Sequence, residues 1–106
     1  MAETFKKLYQ GQVPSTATTV YTVPASTSTV VKTMRIVNTS TTASITIKLW
    51  SGGTTDAYVI LPATSIDAGG FAEFEGTFTM AAADTLAGQA GSASSITMTV
   101  WGVEIT

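Results

Sequence analysis

Histidine and cysteine are both missing from this 106-residue chain. Without histidine there is no ordinary general base near neutral pH, so the Ser-His-Asp type of nucleophilic catalysis is excluded. Without cysteine there can be no disulfide framework, and with both gone no zinc cluster. Charge is scarce too: 11% of residues are charged, against ~25% in a typical soluble domain. The few cations do not gather into a stripe. Lys6 and Lys7 stand near one end, and Lys32, Arg35 and Lys48 are single residues within apolar stretches. A nucleic-acid partner, which requires clustered Lys/Arg along a phosphate track, is therefore not expected. No apolar run reaches the roughly 18 residues of a membrane-spanning helix. Phosphate-cradling glycine loops of the G-x-x-x-x-G-K-[ST] or G-x-G-x-x-G kind do not occur. The opening MAETFKKLYQ lacks the basic-then-apolar order of a secretory signal, which predicts synthesis and folding in a cytoplasm.

What is present is hydroxyl. The chain holds 21 Thr and 10 Ser, so its polar surface is built from neutral groups. Thr is β-branched and suits a pleated, half-buried surface. With 44% hydrophobic residues, the composition predicts a folded β protein. Such a charge-poor surface loses little on desolvation and suits contact with other protein.

Alternation and turn residues place the strands. Residues 4–13 read as a first strand or arm, loosened by Gly11. Residues 18–23 form a short strand with Val20 on one face and Tyr21 and Val23 on the other, and Pro24–Ser28 is a turn. The longest strand is 29–38, with Met34 and Ile36 facing one way. In 44–50 the apolar face is Ile45, Ile47 and Leu49, opposite Thr46, Lys48 and Trp50. After Gly52-Gly53, residues 57–66 form a strand broken at Pro62, whose second half is an edge or a loop. Residues 71–76 form a short strand that Gly76 separates from 77–80, and 85–91 is a weak strand. The last, 95–106, carries Ile96, Met98 and Val100 on one face. Its pattern shifts at Gly102, which predicts a β-bulge near Trp101-Gly102.

Roughly eight short strands at this spacing predict an all-β fold, a single antiparallel β-sandwich or jelly roll. The division expected is an N-terminal arm or first strand over 1–13 and a sandwich over 14–106. Ile36, Ile45, Ile47, Leu49, Ile96, Met98 and Val100 should form the core. Residues 2–13, with Phe5, Leu8 and Tyr9, should pair with a neighbouring subunit or an underlying lattice.

The remaining chemistry is thin. Glu73 and Glu75 are the close carboxylate pair, and a solvated strand face explains them as readily as glycosidase chemistry does. Asp56 and Asp67 lie beside glycine-rich turns, where turn-forming Asp is commoner than a calcium ligand. No enzyme, metal or cofactor is expected. The aromatic residues suit either a sugar-binding surface or core filling and subunit contact, and the second is preferred. The candidate interface residues are Phe5, Leu8, Tyr9, Tyr21, Trp50, Tyr58 and Trp101.

One stretch carries more. VYTVPASTSTVVKTMRIVNTS, followed by ITIKLW, resembles a pattern of small bacteriophage virion proteins. The matching pieces are Tyr21–Ala25, Val31-Lys32, Ile36–Thr39, Leu61-Pro62, Ser65–Gly70, Asp84–Leu86 and Val100–Glu104, and the start LYQGQVP is similar as well. The likeness covers most of the chain. It implies a non-enzymatic structural β-sandwich made in a bacterial host's cytoplasm and carried in the virion. The reading preferred is a capsid cement or decoration protein, a homo-oligomer, most simply a trimer, bound to the major capsid protein or other virion proteins. The alternative is a tail, neck or fibre-tip component, with a carbohydrate-binding module as one form. No nucleic acid or membrane is implied.

Overall fold

A computed structural model describes residues 2–106, with only the backbone at positions 76 and 77; Met1, part of the expected arm, lies outside the described residues. Eight strands follow in order: β1 (Glu3–Gln12), β2 (Thr18–Thr22), β3 (Ser28–Asn38), β4 (Ile45–Ser51), β5 (Val59–Ile66), β6 (Phe71–Met80), β7 (Thr85–Ala90) and β8 (Ile96–Ile105). They form two four-stranded sheets, β1-β8-β3-β6 and β2-β7-β4-β5. Every ladder is antiparallel. Only β4 and β5 are joined as a hairpin; every other connection crosses from one sheet to the other. That order is a jelly roll, two interlocked Greek keys around one core.

Alternation explains the core. Ile36, Ile45, Ile47, Leu49, Ile96, Met98 and Val100 are all buried, joined by Val13, Val23, Val31, Met80 and Leu86. The weak strand β7 owes its place to packing, since it runs between β2 and β4. A Cβ at Gly88 would come within 3.1 Å of Val13 and 3.2 Å of Leu49, so the larger neighbours fill the space its small residues leave. Asn38 is fully buried at the end of β3. Its amide donates to the Ala43 and Ile66 carbonyls at 3.0 and 2.9 Å, and its side-chain oxygen accepts from the Ser40 amide at 2.9 Å, tying β3 to the loop before β4 and to β5. Ala2 and Thr106 exchange two backbone hydrogen bonds, at 3.1 and 2.9 Å.

Several expectations change. The N-terminal segment is no free arm: it is a strand of its own chain's first sheet, paired along β8 from Glu3↔Ile105 to Gln12↔Thr97, with its other edge open. Leu8 and Tyr9 pack against the core, which fixes the strand in place. In β2 a bulge between Thr19 and Tyr21 lets Val20 and Tyr21 both reach the core, so they do not divide between faces. β5 runs through Pro62 as an edge strand, where a missing N–H costs no ladder bond. β6 is one strand through Gly76, because β3 supplies a partner on both sides of it.

The expected bulge on β8 lies instead on its neighbours. Leu8 is the extra residue in β1, between Lys7↔Trp101 and Tyr9↔Val100. Lys32 is the extra residue in β3, between Val31↔Gly102 and Thr33↔Trp101. A Cβ at Gly102 would lie 2.3 Å from the Val30 carbonyl oxygen, so only glycine permits this approach. β8 thus keeps its alternation to the end. Glu104 points inward toward β2, and the apolar Val103 and Ile105 stay on the outward face with Trp101.

Candidate docking surface

The outward face of the β1-β8-β3-β6 sheet carries Phe5, Phe71 and Trp101, three of the five large hydrophobic residues exposed among the described residues; Tyr58 and Ile60 lie just before and within the start of β5 in the other sheet. Cross-strand register builds that outward face in rows. Phe5, Val103, Val30 and Thr79 form one row, and Lys7, Trp101, Thr33 and Glu75 the next. Phe5 is 76% exposed and Trp101 39%, far above what large apolar rings keep inside a fold. Phe5, Lys6, Lys7, Lys32, Trp101 and Gly102 line an open groove there. A second depression continues it over Glu3, Val30, Val103 and Ile105. Lys32 lines this groove two residues along β3 from the outward Val30, and the bulge turns Thr33 to the same face beside it. Farther along the sheet Phe71 is 59% exposed, and the Arg35 guanidinium stands 4.4 Å from its ring centre while pairing with Glu73 at 3.3 Å. Exposed aromatic rings are the residue type enriched where proteins meet.

The expected interface residues divide. Phe5 and Trp101 share the groove. Tyr58 is exposed but belongs to the β4–β5 hairpin, in a 3-10 turn at Asp56–Tyr58, where its ring lies against Gly52 and Gly53. Leu8 and Tyr9 are part-buried against the core. Trp50 is only 4% exposed, so it offers no anchor to a partner. It sits on the outward side of β4, where Lys48 Nζ lies 5.2 Å from its ring centre and pairs with Asp56 at 3.5 Å. Its indole N–H has no acceptor among the described residues.

Tyr21 belongs to a polar cluster between the sheets. Its hydroxyl donates to Glu104 Oε2 at 2.5 Å and lies 2.8 Å from the buried Thr29 hydroxyl. Lys6 Nζ meets the other Glu104 oxygen at 3.0 Å. Burial, then the bond to Glu104, pushes the Tyr21 hydroxyl up to about 12. The Tyr21 hydrogen bond, with Lys6 behind it, holds the Glu104 carboxyl below its ordinary value against the opposing effect of burial. Sequence alternation hides this cluster, because a Glu two residues from a chain end reads as solvated. Phe71, Val30, Lys32 and Ile105 were also missed, being apolar or charged residues with no local mark of exposure.

No three acidic side chains converge as metal ligands among the described residues, and Glu73 is committed to Arg35. No helix among them is long and apolar enough to cross a membrane.

A jelly roll with an apolar, cation-flanked outer face is thus the class of protein defined. No family model and no curated protein matches the chain. Solved structures do. A chain from the disulfide-linked endospore appendage pili of Bacillus is 19% identical with a TM-score of 0.59, over 98% of this chain and 88% of that one. A chain from the acid-stable capsid of Helicobacter pylori bacteriophage KHP30 is 8% identical with a TM-score of 0.62, over 100% and 89%. A pentameric capsid protein from metagenomic phage sequences is 16% identical with a TM-score of 0.38, over 91% and 58%. At their identities the likeness to the first two is one of fold.

Proposed function

We propose that this chain is a non-enzymatic structural protein of a bacteriophage virion, a cement or decoration protein that docks on the head lattice as a cyclic homo-oligomer, a trimer in its simplest form. The observation that carries this reading is the outward face of the first sheet, where Phe5 and Trp101 stand exposed around a groove edged by Lys7 and Lys32. Free in solution, that apolar area is a liability; against a lattice of major capsid protein it is an anchor. The fold it shares with a phage capsid chain along nearly its whole length supports the same reading. The pilus likeness favours it less, because those pili are disulfide-linked and this chain has no cysteine. A sugar-binding fibre tip would want carboxylates or amides beside the exposed rings, and the groove around Trp101 is lined instead by lysines.

Mass spectrometry and cryo-EM of purified virions test the proposal. Hundreds of symmetric copies on the head are expected, and Phe5→Ser/Trp101→Ser should lower occupancy at least about tenfold while the domain stays folded. A few copies at the tail would move the protein to the neck or fibre. Its absence from virions would overturn the reading.

A further inference from the structure

We propose that copies of this chain join head to tail through the two free edges of the first sheet, with β1 of one copy adding antiparallel to β6 of the next. The inference deepens the virion reading by naming the self-contact, and it rests on geometry independent of any capsid.

The four sheet edges are not alike. In the second sheet, β2 has only five residues and β5 carries Pro62, both of which blunt an edge against pairing. In the first sheet β1 and β6 are each ten residues long and pair on one side only, β1 with β8 and β6 with β3. Those two edges carry opposite charge in the same row. Lys7 on β1 is in register with Trp101, Trp101 with Thr33, and Thr33 with Glu75 on β6. Lys7 and Glu75 are both exposed, and neither has an ion-pair partner among the described residues. Two like edges would oppose Lys7 to Lys7 or Glu75 to Glu75, which charge repulsion disfavours. The β1–β6 contact instead sets Lys7 beside Glu75 and, one outward row along, Gln10 beside Glu73. Strand direction agrees as well. β1 and β6 are three strands apart in a wholly antiparallel sheet, so a following β1 meets β6 antiparallel without any turning of the molecule. A contact between two different edges is heterologous, and it propagates until it closes as a ring or continues as a filament.

Absent cysteine makes the test clean. Within one chain Lys7 and Glu75 are separated by three strand spacings, roughly 14 Å, beyond the ~7 Å limit for a disulfide between Cα atoms. Lys7→Cys/Glu75→Cys should therefore oxidise to a ladder of covalent oligomers or a single closed ring, and Lys7→Cys alone should stay monomeric on a non-reducing gel. In sedimentation of the reduced proteins, Lys7→Glu or Glu75→Lys alone should weaken association about tenfold, and the double reversal should restore it. A double-cysteine protein that stays monomeric, a dimer from Lys7→Cys alone, or a double reversal no better than the singles would overturn the proposal. Virion association without a ladder defeats this inference and leaves the proposed function standing, whereas a ladder from a protein absent from virions does the reverse.

Discussion

Tyr21 on β2 and Glu104 on β8 bridge the two sheets by a hydrogen bond of 2.5 Å, placing a charged carboxylate at the inner side of the jelly roll. The bond is supported at both ends, by Thr29 on the hydroxyl and Lys6 on the carboxylate.

Stability against pH should follow from that pair. Glu104 has a folded value below its ordinary 4.5, so its contribution is present above that pH and is lost as pH falls through the folded value. Tyr21 is raised from 10.0 to about 12, so its contribution is intact below pH 10 and is lost as pH climbs toward 12. With no histidine, the interval from pH 6 to 8 should be flat. Urea midpoints across pH 3 to 12 measure this, and Tyr21→Phe should lose much of the alkaline fall while costing about 1–3 kcal/mol at pH 7.

Neighbouring residues on β4 should differ widely. Ile47 is fully buried, and Ile47→Ala should cost about 2–5 kcal/mol. Lys48→Ala loses an ion pair to Asp56 and the cover over Trp50, worth about 1 kcal/mol at most. Equal shifts in urea melts would contradict the register of β4.

Two glycines separate crowding from backbone strain. Gly102→Ala drives a methyl to 2.3 Å from the Val30 carbonyl and 2.9 Å from Leu8, between two paired strands, and should cost about 3 kcal/mol. Gly69→Ala meets nothing within 4 Å and bears only the penalty of its φ of +69°, about 1–2 kcal/mol. Thermal or urea melts of the two variants should rank in that order.

Asn38→Ala removes three hydrogen bonds from a fully buried site and leaves the Ala43 and Ile66 carbonyls without their donor. A loss of about 3 kcal/mol is expected in denaturant melts. Amide exchange should quicken first at Ser40 and along the loop before β4.

Much of the fold was legible because Thr-rich alternation marks both a strand and its inward face, as in β4, where Ile45, Ile47 and Leu49 are all buried. What escaped depended on partners distant in sequence. Whether Gly102 lets β8 bulge or lets its neighbours do so is decided by Val30, and residue spacing on β8 alone cannot carry that. The two tryptophans show the same limit at the candidate site. Both follow an apolar residue late in a strand, yet Trp50 is covered while Trp101 is open: Lys48 lies over the first ring, and an open groove lined by Phe5, Lys6, Lys7 and Lys32 runs beside the second. Phe71 passed unnoticed for the same reason: its exposure follows from an edge position that only the sheet order reveals.

The paired backbones of Ala2 and Thr106 carry a consequence for how fast the molecule folds. The β1–β8 ladder joins opposite ends of the chain, so it can form only after nearly every residue between has been gathered into one loop. Such pairing is late and slow, since ordering a long loop comes before any contact rewards it. Linking the two ends and reopening the chain in the turn at 24–27, between β2 and β3, would convert that ladder into a local hairpin, keep the β4–β5 hairpin and leave both sheets unaltered. The permuted chain should then collapse into the same jelly roll by a shorter route, with refolding quickened far more than unfolding.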